Sequence, residues 1–181
     1  MKKILSVFFC ALYFQYCHAD NKFINNYVFN WADNPKVIEE YLTKSAKDNP
    51  ISAYILGTLY LTGDILKKDL HRADLYITKA ANKNLPEALN SIGDGYYSGD
   101  IREKNIDMAL YYYEKAAKLG FGPAQFNAGI VLLKTSTTKA KIKKSIFWLD
   151  KASKNRDDLN EIAKKALKYK KDAETKLQEL K

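Results

Sequence analysis

The run IGDGYYSGD at residues 92–100 gathers Gly93, Gly95 and Gly99, and short glycine clusters of this kind can cradle a phosphate. Other groups with chemical potential are few. Beyond residue 19 the chain holds one histidine, His71, no cysteine, and neither HExxH nor GxSxG. One nitrogen ligand and no thiolate make a zinc site unexpected. Glu39–Glu40 and Asp157–Asp158 are carboxylate pairs, but adjacent residues on a helix diverge, and the two aspartates suit a helix start. Tyr111, Tyr112 and Tyr113 could supply a phenolic base, yet on a helix they point about 100° apart. No catalytic residue, cofactor or metal is expected.

The ends of the chain differ from its middle. Lys2 and Lys3 precede an apolar run from Ile4 to Phe14, and QYCHA leads to Asp20. A charged start, a short apolar stretch and a small residue describe a secretory signal peptide, cleaved after Ala19. The run falls short of the ~20 apolar residues that cross a bilayer, and an uncleaved anchor is the alternative. Cleavage would discard Cys10 and Cys17, leaving no disulfide. Residues 20–133 carry 13 Lys+Arg against 14 Asp+Glu, a balance of −1, and residues 134–181 carry 15 against 7, a balance of +8. The expectation is a periplasmic or secreted protein, monomeric when free. Its basic end would favour an acidic protein surface or, peripherally, an anionic lipid head group, and not nucleic acid.

What must position these residues is a repeat. Gly57, Gly93 and Gly129 are 36 residues apart, as are Tyr60 and Tyr96, Gly63 and Gly99, and Ala73 and Ala109. Tyr76, Tyr112 and Trp148 keep the register, with Lys79, Lys115 and Lys151 three residues on. Such a ladder marks a solenoid of repeated units. Each unit predicts two helices. The first opens near Pro50, Pro86 or Pro123, where a missing N–H costs nothing, and in two units it stops at Gly63 or Gly99. The second opens at the caps Asp69 or Asn105 and runs through the aromatic residue to KAA. Residues 35–47 read as the second helix of an incomplete leading unit. Residues 158–180 read as a long capping helix, with Leu159, Ile162, Ala163, Ala166, Leu167, Ala173, Leu177 and Leu180 as its apolar positions.

The pattern A-xxx-[LI]-G-xx-Y-xx-G-D, followed by [RKM]-A-xx-[YW]-xx-KAA, resembles the Sel1-like repeats, relatives of the tetratricopeptide repeats. The resemblance covers about residues 52–154. The third unit departs from it: Leu132 replaces the tyrosine, Thr135 the second glycine and Ser145 the alanine, which predicts an altered inter-helix loop. The implied fold is all-α, a right-handed α-solenoid of antiparallel helix pairs.

That frame decides the glycine run. Gly93 falls inside a helix, where glycine costs ~1 kcal/mol relative to alanine, so close approach of the neighbouring helix is expected to compensate. Gly95 is the glycine the repeat does not require, and it should leave a gap beside Asp94 and Tyr97. Tyr112 is expected in the core together with Tyr113, with Tyr111 partly exposed. His71 reads as a solvated first-turn residue.

By resemblance to the tetratricopeptide fold, first helices line a concave groove. Register then implies groove positions Tyr54, Thr58 and Leu61, then Asn90, Asp94 and Tyr97, then Phe126, Ile130 and Leu133; burial against neighbouring units is the competing expectation. Lys164, Lys165, Lys168, Lys170 and Lys171 form the basic surface. The reading that follows is a non-catalytic protein-binding module. A sharper version is an immunity protein that neutralises a periplasm-targeted toxin such as a phospholipase. A hydrolase or β-lactam-binding protein is the competing class, and the paired cysteines of β-lactam-linked relatives are missing.

Overall fold

The computed structural model describes residues 34–155 and 160–180. The signal-peptide reading, Cys10, Cys17, Leu159 and the Asp157–Asp158 pair lie outside them. Among the described residues there are eight helices and no strand: α1 (Pro35–Ser45), α2 (Pro50–Thr62), α3 (Leu70–Asn82), α4 (Pro86–Ser98), α5 (Ile106–Lys118), α6 (Gly122–Thr135), α7 (Lys139–Lys154) and α8 (Asn160–Glu179). The chain forms two compact units, divided between Ala80 and Ala81. Among the described residues no helix is long and apolar enough to cross a membrane.

Local chemistry sets the boundaries as expected. Pro35, Pro50 and Pro86 stand at the first position of α1, α2 and α4, and Pro123 at the second of α6. Gly63 and Gly99 end α2 and α4 in the left-handed region, φ 76° and 87°, which glycine enters at little cost. The Asp69 carboxylate accepts the Arg72 N–H at 2.9 Å, and Asn105 Oδ1 accepts the Met108 N–H at 3.0 Å. Each of these caps also donates its own N–H back to a tyrosine carbonyl, Asp69 to Tyr60 at 3.0 Å and Asn105 to Tyr96 at 2.9 Å. The third unit differs as its sequence implied. Its α6 ends at Ser136 in extended conformation, and Thr138 caps α7.

In the first unit the core is Ile38, Leu42, Leu56, Leu59, Tyr60, Leu66 and Ala73. The incomplete leading helix is therefore integral to it. Tyr60 stacks on Tyr76, its hydroxyl donates to Glu39 at 2.5 Å, and Arg72 reaches both Glu39 and Tyr60 at 2.9 Å.

In the second unit α4 packs on α5, α5 on α6, α6 on α7 and α7 on α8. Ser145, standing where the repeat has alanine, is fully buried and donates to the Gly129 carbonyl at 2.7 Å. Polar replacement in the core is thus matched by an acceptor.

The register glycines are contact points. A Cβ on Gly57 would lie 2.7 Å from Ile77 Cγ1, one on Gly93 2.6 Å from the Tyr113 ring, and one on Gly129 2.6 Å from Leu149 Cγ. All are below any tolerable carbon contact, so helices meet at the van der Waals limit. The facing residues, 77, 113 and 149, lie one position after the aromatic slot. Tyr113 is accordingly the fully buried tyrosine, while Tyr112 is half-buried and stacks on Tyr96 at 5.8 Å. Tyr113 is thus in the core as expected, facing the glycine, whereas Tyr112, expected there with it, sits at the helix flank. Tyr111 is exposed.

Candidate functional site

The second unit concentrates polar side chains on the seam between its first helices, α4 and α6. Asn90 and Asp94 are one turn apart on α4, and the Asn90 amide donates to Asp94 Oδ2 at 3.0 Å. From α6, Asn127 Nδ2 donates to Asn90 Oδ1 at 3.1 Å and, at 3.4 Å, to Asp94 Oδ1. From α5 the Tyr113 hydroxyl donates to Asp94 Oδ1 at 2.7 Å. Three helices thereby fix one carboxylate. Gly93 makes this geometry possible, because only a residue without Cβ lets the Tyr113 ring pass under α4 to reach Asp94.

The electrostatics follow from that donor set. Several carboxylates among the described residues have cations beside them: Glu39 has Arg72 at 2.9 Å, Glu114 has Lys144 at 2.5 Å, and Asp150 has Lys170 at 2.6 Å and Lys154 at 2.7 Å. Asp94 has neutral donors alone and no ion pair among the described residues. Burial of its inner side pushes its pKa up, and the Tyr113 hydroxyl partly offsets that by stabilising the anion. Burial and the Asp94 charge push the Tyr113 phenol well above its ordinary value. That excludes Tyr113 as a base near neutral pH. Tyr97, one turn beyond Asp94, remains 37 % exposed.

The remaining groove positions fare differently. Phe126, Ile130 and Leu133 lie on α6, but they pack into a core with Ala166, Ala173, Tyr169, Leu177 and Leu180 of the C-terminal segment. Phe126 and Tyr169 are 5.9 Å apart by ring centroid, and Lys176 Nζ donates to the Leu133 carbonyl at 3.0 Å. Here the competing expectation of burial holds, since α8 occupies the face that register left open. Within the first unit, Tyr54 and Thr58 are half-buried, Thr58 turns its hydroxyl back to the Ile55 carbonyl at 2.7 Å, and Leu61 packs on the core.

Two further positions shift. Gly95 is buried under the Arg102 side chain, 3.6 Å from where a Cβ would stand, so its space opens toward the α4–α5 loop and not toward Asp94 and Tyr97. Of the basic residues, Lys164, Lys165, Lys168 and Lys171 are exposed, whereas Lys170 is tied to Asp150. That pairing holds the Asp150 carboxyl below the usual range, Lys154 contributing first and Lys170 second. His71 is exposed in the first turn of α3. No group of three or more His, Cys, Asp or Glu among the described residues is placed to hold a metal.

Asn127 escaped the register reading. It lies 37 residues from Asn90, one position past the groove slot held by Phe126, so a strict 36-residue comparison puts it on another face. An isolated polar residue between Phe126 and Ala128 was the available signal.

Repeated helix pairs meeting at register glycines define an all-α solenoid-class interaction scaffold. The Sel1 repeat matches this chain three times, over residues 50–85, 86–121 and 122–157, and the chain belongs to the Sel1 repeat family. Such repeats generally mediate protein–protein contacts and serve as scaffolds without catalysis. A Sel1 repeat protein from Oxalobacter formigenes has a similar fold, with a TM-score of 0.59 at 24 % identity, covering 71 % of this chain and 96 % of that one. A protective antigen of uropathogenic Escherichia coli, displaying an SLR fold, gives 0.61 at 21 % identity over 77 % of this chain and 33 % of its own. At these identities the likeness concerns the fold. No curated protein matches the chain.

Proposed function

We propose that this chain is an exported, non-catalytic interaction module that holds a segment of a partner protein against its first helices. The observation that carries the reading is the α4–α6 seam, where Asn90, Asp94 and Asn127 form a fixed polar cluster beside exposed Tyr97. A rigid polar group flanked by an aromatic with free surface is the composition of a binding hot spot. Because α8 covers Phe126, Ile130 and Leu133, contact centres on α4. The charged N-terminal start and apolar run of the sequence support export to the periplasm or beyond. Capture of a partner by the full chain, abolished by Tyr97→Ala and retained by Leu75→Ala on α3, is the expected result. Equal capture by both variants would remove α4 from the reading.

An immunity role against a toxin delivered to the same compartment is the second reading, favoured by the exposed Lys164, Lys165, Lys168 and Lys171. Long-range attraction to an acidic partner would speed the encounter. Deletion of the gene should then sensitise cells to a sister-cell toxin, such as a phospholipase, and unchanged survival would dismiss the role.

A further inference from the structure

We infer that the α4–α6 seam is a receptor for an arginine side chain of the partner, with Asp94 and Asn127 as its two acceptors and Tyr97 as its aromatic wall. This deepens the interaction-module reading and rests on it.

Counting donors and acceptors leads to this chemistry. An ionised carboxylate offers about four lone-pair directions. Asp94 uses three, for the Tyr113 hydroxyl, Asn127 Nδ2 and Asn90 Nδ2, which leaves one on Oδ2. Asn127 donates to two oxygens, Asn90 Oδ1 and Asp94 Oδ1. Those two acceptors set its amide orientation, so Asn127 Oδ1 is left as an acceptor without a donor among the described residues. Asn90 has its Nδ2 on Asp94 and its Oδ1 on Asn127. The cluster therefore ends in open acceptors on two helices.

A ligand that satisfies these two acceptors must bring at least two N–H donors. It must also bring the positive charge that Asp94 lacks among the described residues. Guanidinium meets both demands, with five donors in a planar fork that can reach two acceptors at once. Its faces also stack on aromatic rings, and Tyr97 stands one turn along α4 with more than a third of its surface free. Ammonium is a compact, strongly hydrated charge that cannot span two acceptors as a fork. Basic chemistry at this seam is opposite to the acidic partner expected at the lysine-rich end, so one partner touching both would be dipolar.

The test is selection of a random-peptide phage library on the immobilised full chain, followed by synthesis of the enriched peptides. Recurrent arginine is expected, with at least a ten-fold loss of affinity when it is replaced by citrulline, which keeps the shape and removes the charge. Asp94→Asn should cause a similar loss, and Asn127→Ala a smaller one. A cycle combining citrulline with Asp94→Asn should lose little beyond either change, because both remove the same pair. Circular dichroism of each variant confirms folding. Peptides that bind on Tyr97 without a basic residue, or that ignore Asp94→Asn in its folded form, overturn the arginine assignment while the module reading stands. Failure to select any peptide counts against both.

Discussion

The Tyr113 hydroxyl donates to Asp94 Oδ1 at 2.7 Å across the α4–α5 interface, directly beneath the one register glycine that faces a tyrosine. A helix contact that elsewhere in the repeat is purely apolar, with Ile77 or Leu149 against glycine, here carries a polar tip to the surface. Packing and binding chemistry thus share one side chain.

The sign of the Asp94 shift makes a pH prediction. Its folded carboxyl titrates above the ordinary value because burial disfavours the anion. The native state therefore binds the proton more tightly than the unfolded chain, and stability falls as pH rises from the unfolded carboxylate value, about 4, through the raised folded one. Asp150 acts oppositely: its lowered pKa gives stability that is present above the unfolded value and lost as pH falls. Melting temperatures of wild type and Asp94→Asn, compared from pH 3 to 8, isolate the first contribution. The wild type should lose ground to the variant as pH rises through that window. A constant difference would show that Asp94 titrates normally.

Gly93 and Gly95, two residues apart on one helix, should respond to alanine with opposite signs. At Gly93 the new methyl would enter the Tyr113 ring at 2.6 Å, and overpacking of this kind costs about 1–3 kcal/mol. At Gly95 the nearest atom is Arg102 Cδ at 3.6 Å, an ordinary contact. Gly95→Ala should therefore raise stability by about 0.5–1 kcal/mol, through the lower entropy of the unfolded chain and better helix propensity. Urea denaturation of the two variants reads both signs.

The helix pairs, their prolines and capping glycines, and the close approach at Gly57, Gly93 and Gly129 were legible because a 36-residue comparison reports each of them three times or twice. Features that occur once were not legible. The sequence marks Ala166, Ala173 and Leu177 as apolar, but periodicity does not say what they cover, so register alone leaves Phe126, Ile130 and Leu133 between an open groove and burial. Register puts Asn90 and Asp94 on one face of α4, where they are hydrogen-bonded to each other. Their connection to Tyr113 and Asn127 depends on where two other helices cross, which is a tertiary property.

The Glu39–Tyr60–Arg72 cluster should govern how firmly the leading helix is held. Tyr60 donates to Glu39, accepts from Arg72, and has Arg72 over its ring at 5.3 Å. Tyr60→Phe keeps the ring and its stacking on Tyr76 and removes the hydroxyl from a charged acceptor, which costs about 1.5–3 kcal/mol. Hydrogen exchange should show faster opening of α1 in this variant. Unchanged protection there would mean that Ile38 and Leu42 hold α1 by apolar contact alone.

Adjacent residues on α8 provide the sharpest check that this helix lies over α6 and α7. Ala166 is fully buried in the cluster with Ile142 and Leu149, whereas Leu167 is 56 % exposed although the sequence counts it among the apolar positions. Ala166→Asp would force a carboxylate into that cluster, where the described neighbours are apolar, and such burial destabilises by several kcal/mol. Leu167→Asp removes a solvent-facing side chain and should change stability by no more than about 0.5 kcal/mol. It also places an acid one turn from Lys164 and Lys171, a spacing that favours helix on the surface. Guanidinium denaturation followed by tryptophan fluorescence suits the comparison, because Trp148 is a buried residue of α7. If the two variants were equally destabilised, α8 would have to sit rotated about its axis, with Leu167 turned inward; if neither were, α8 would not cover Phe126, Ile130 and Leu133, and the α6 face would be available to a partner after all.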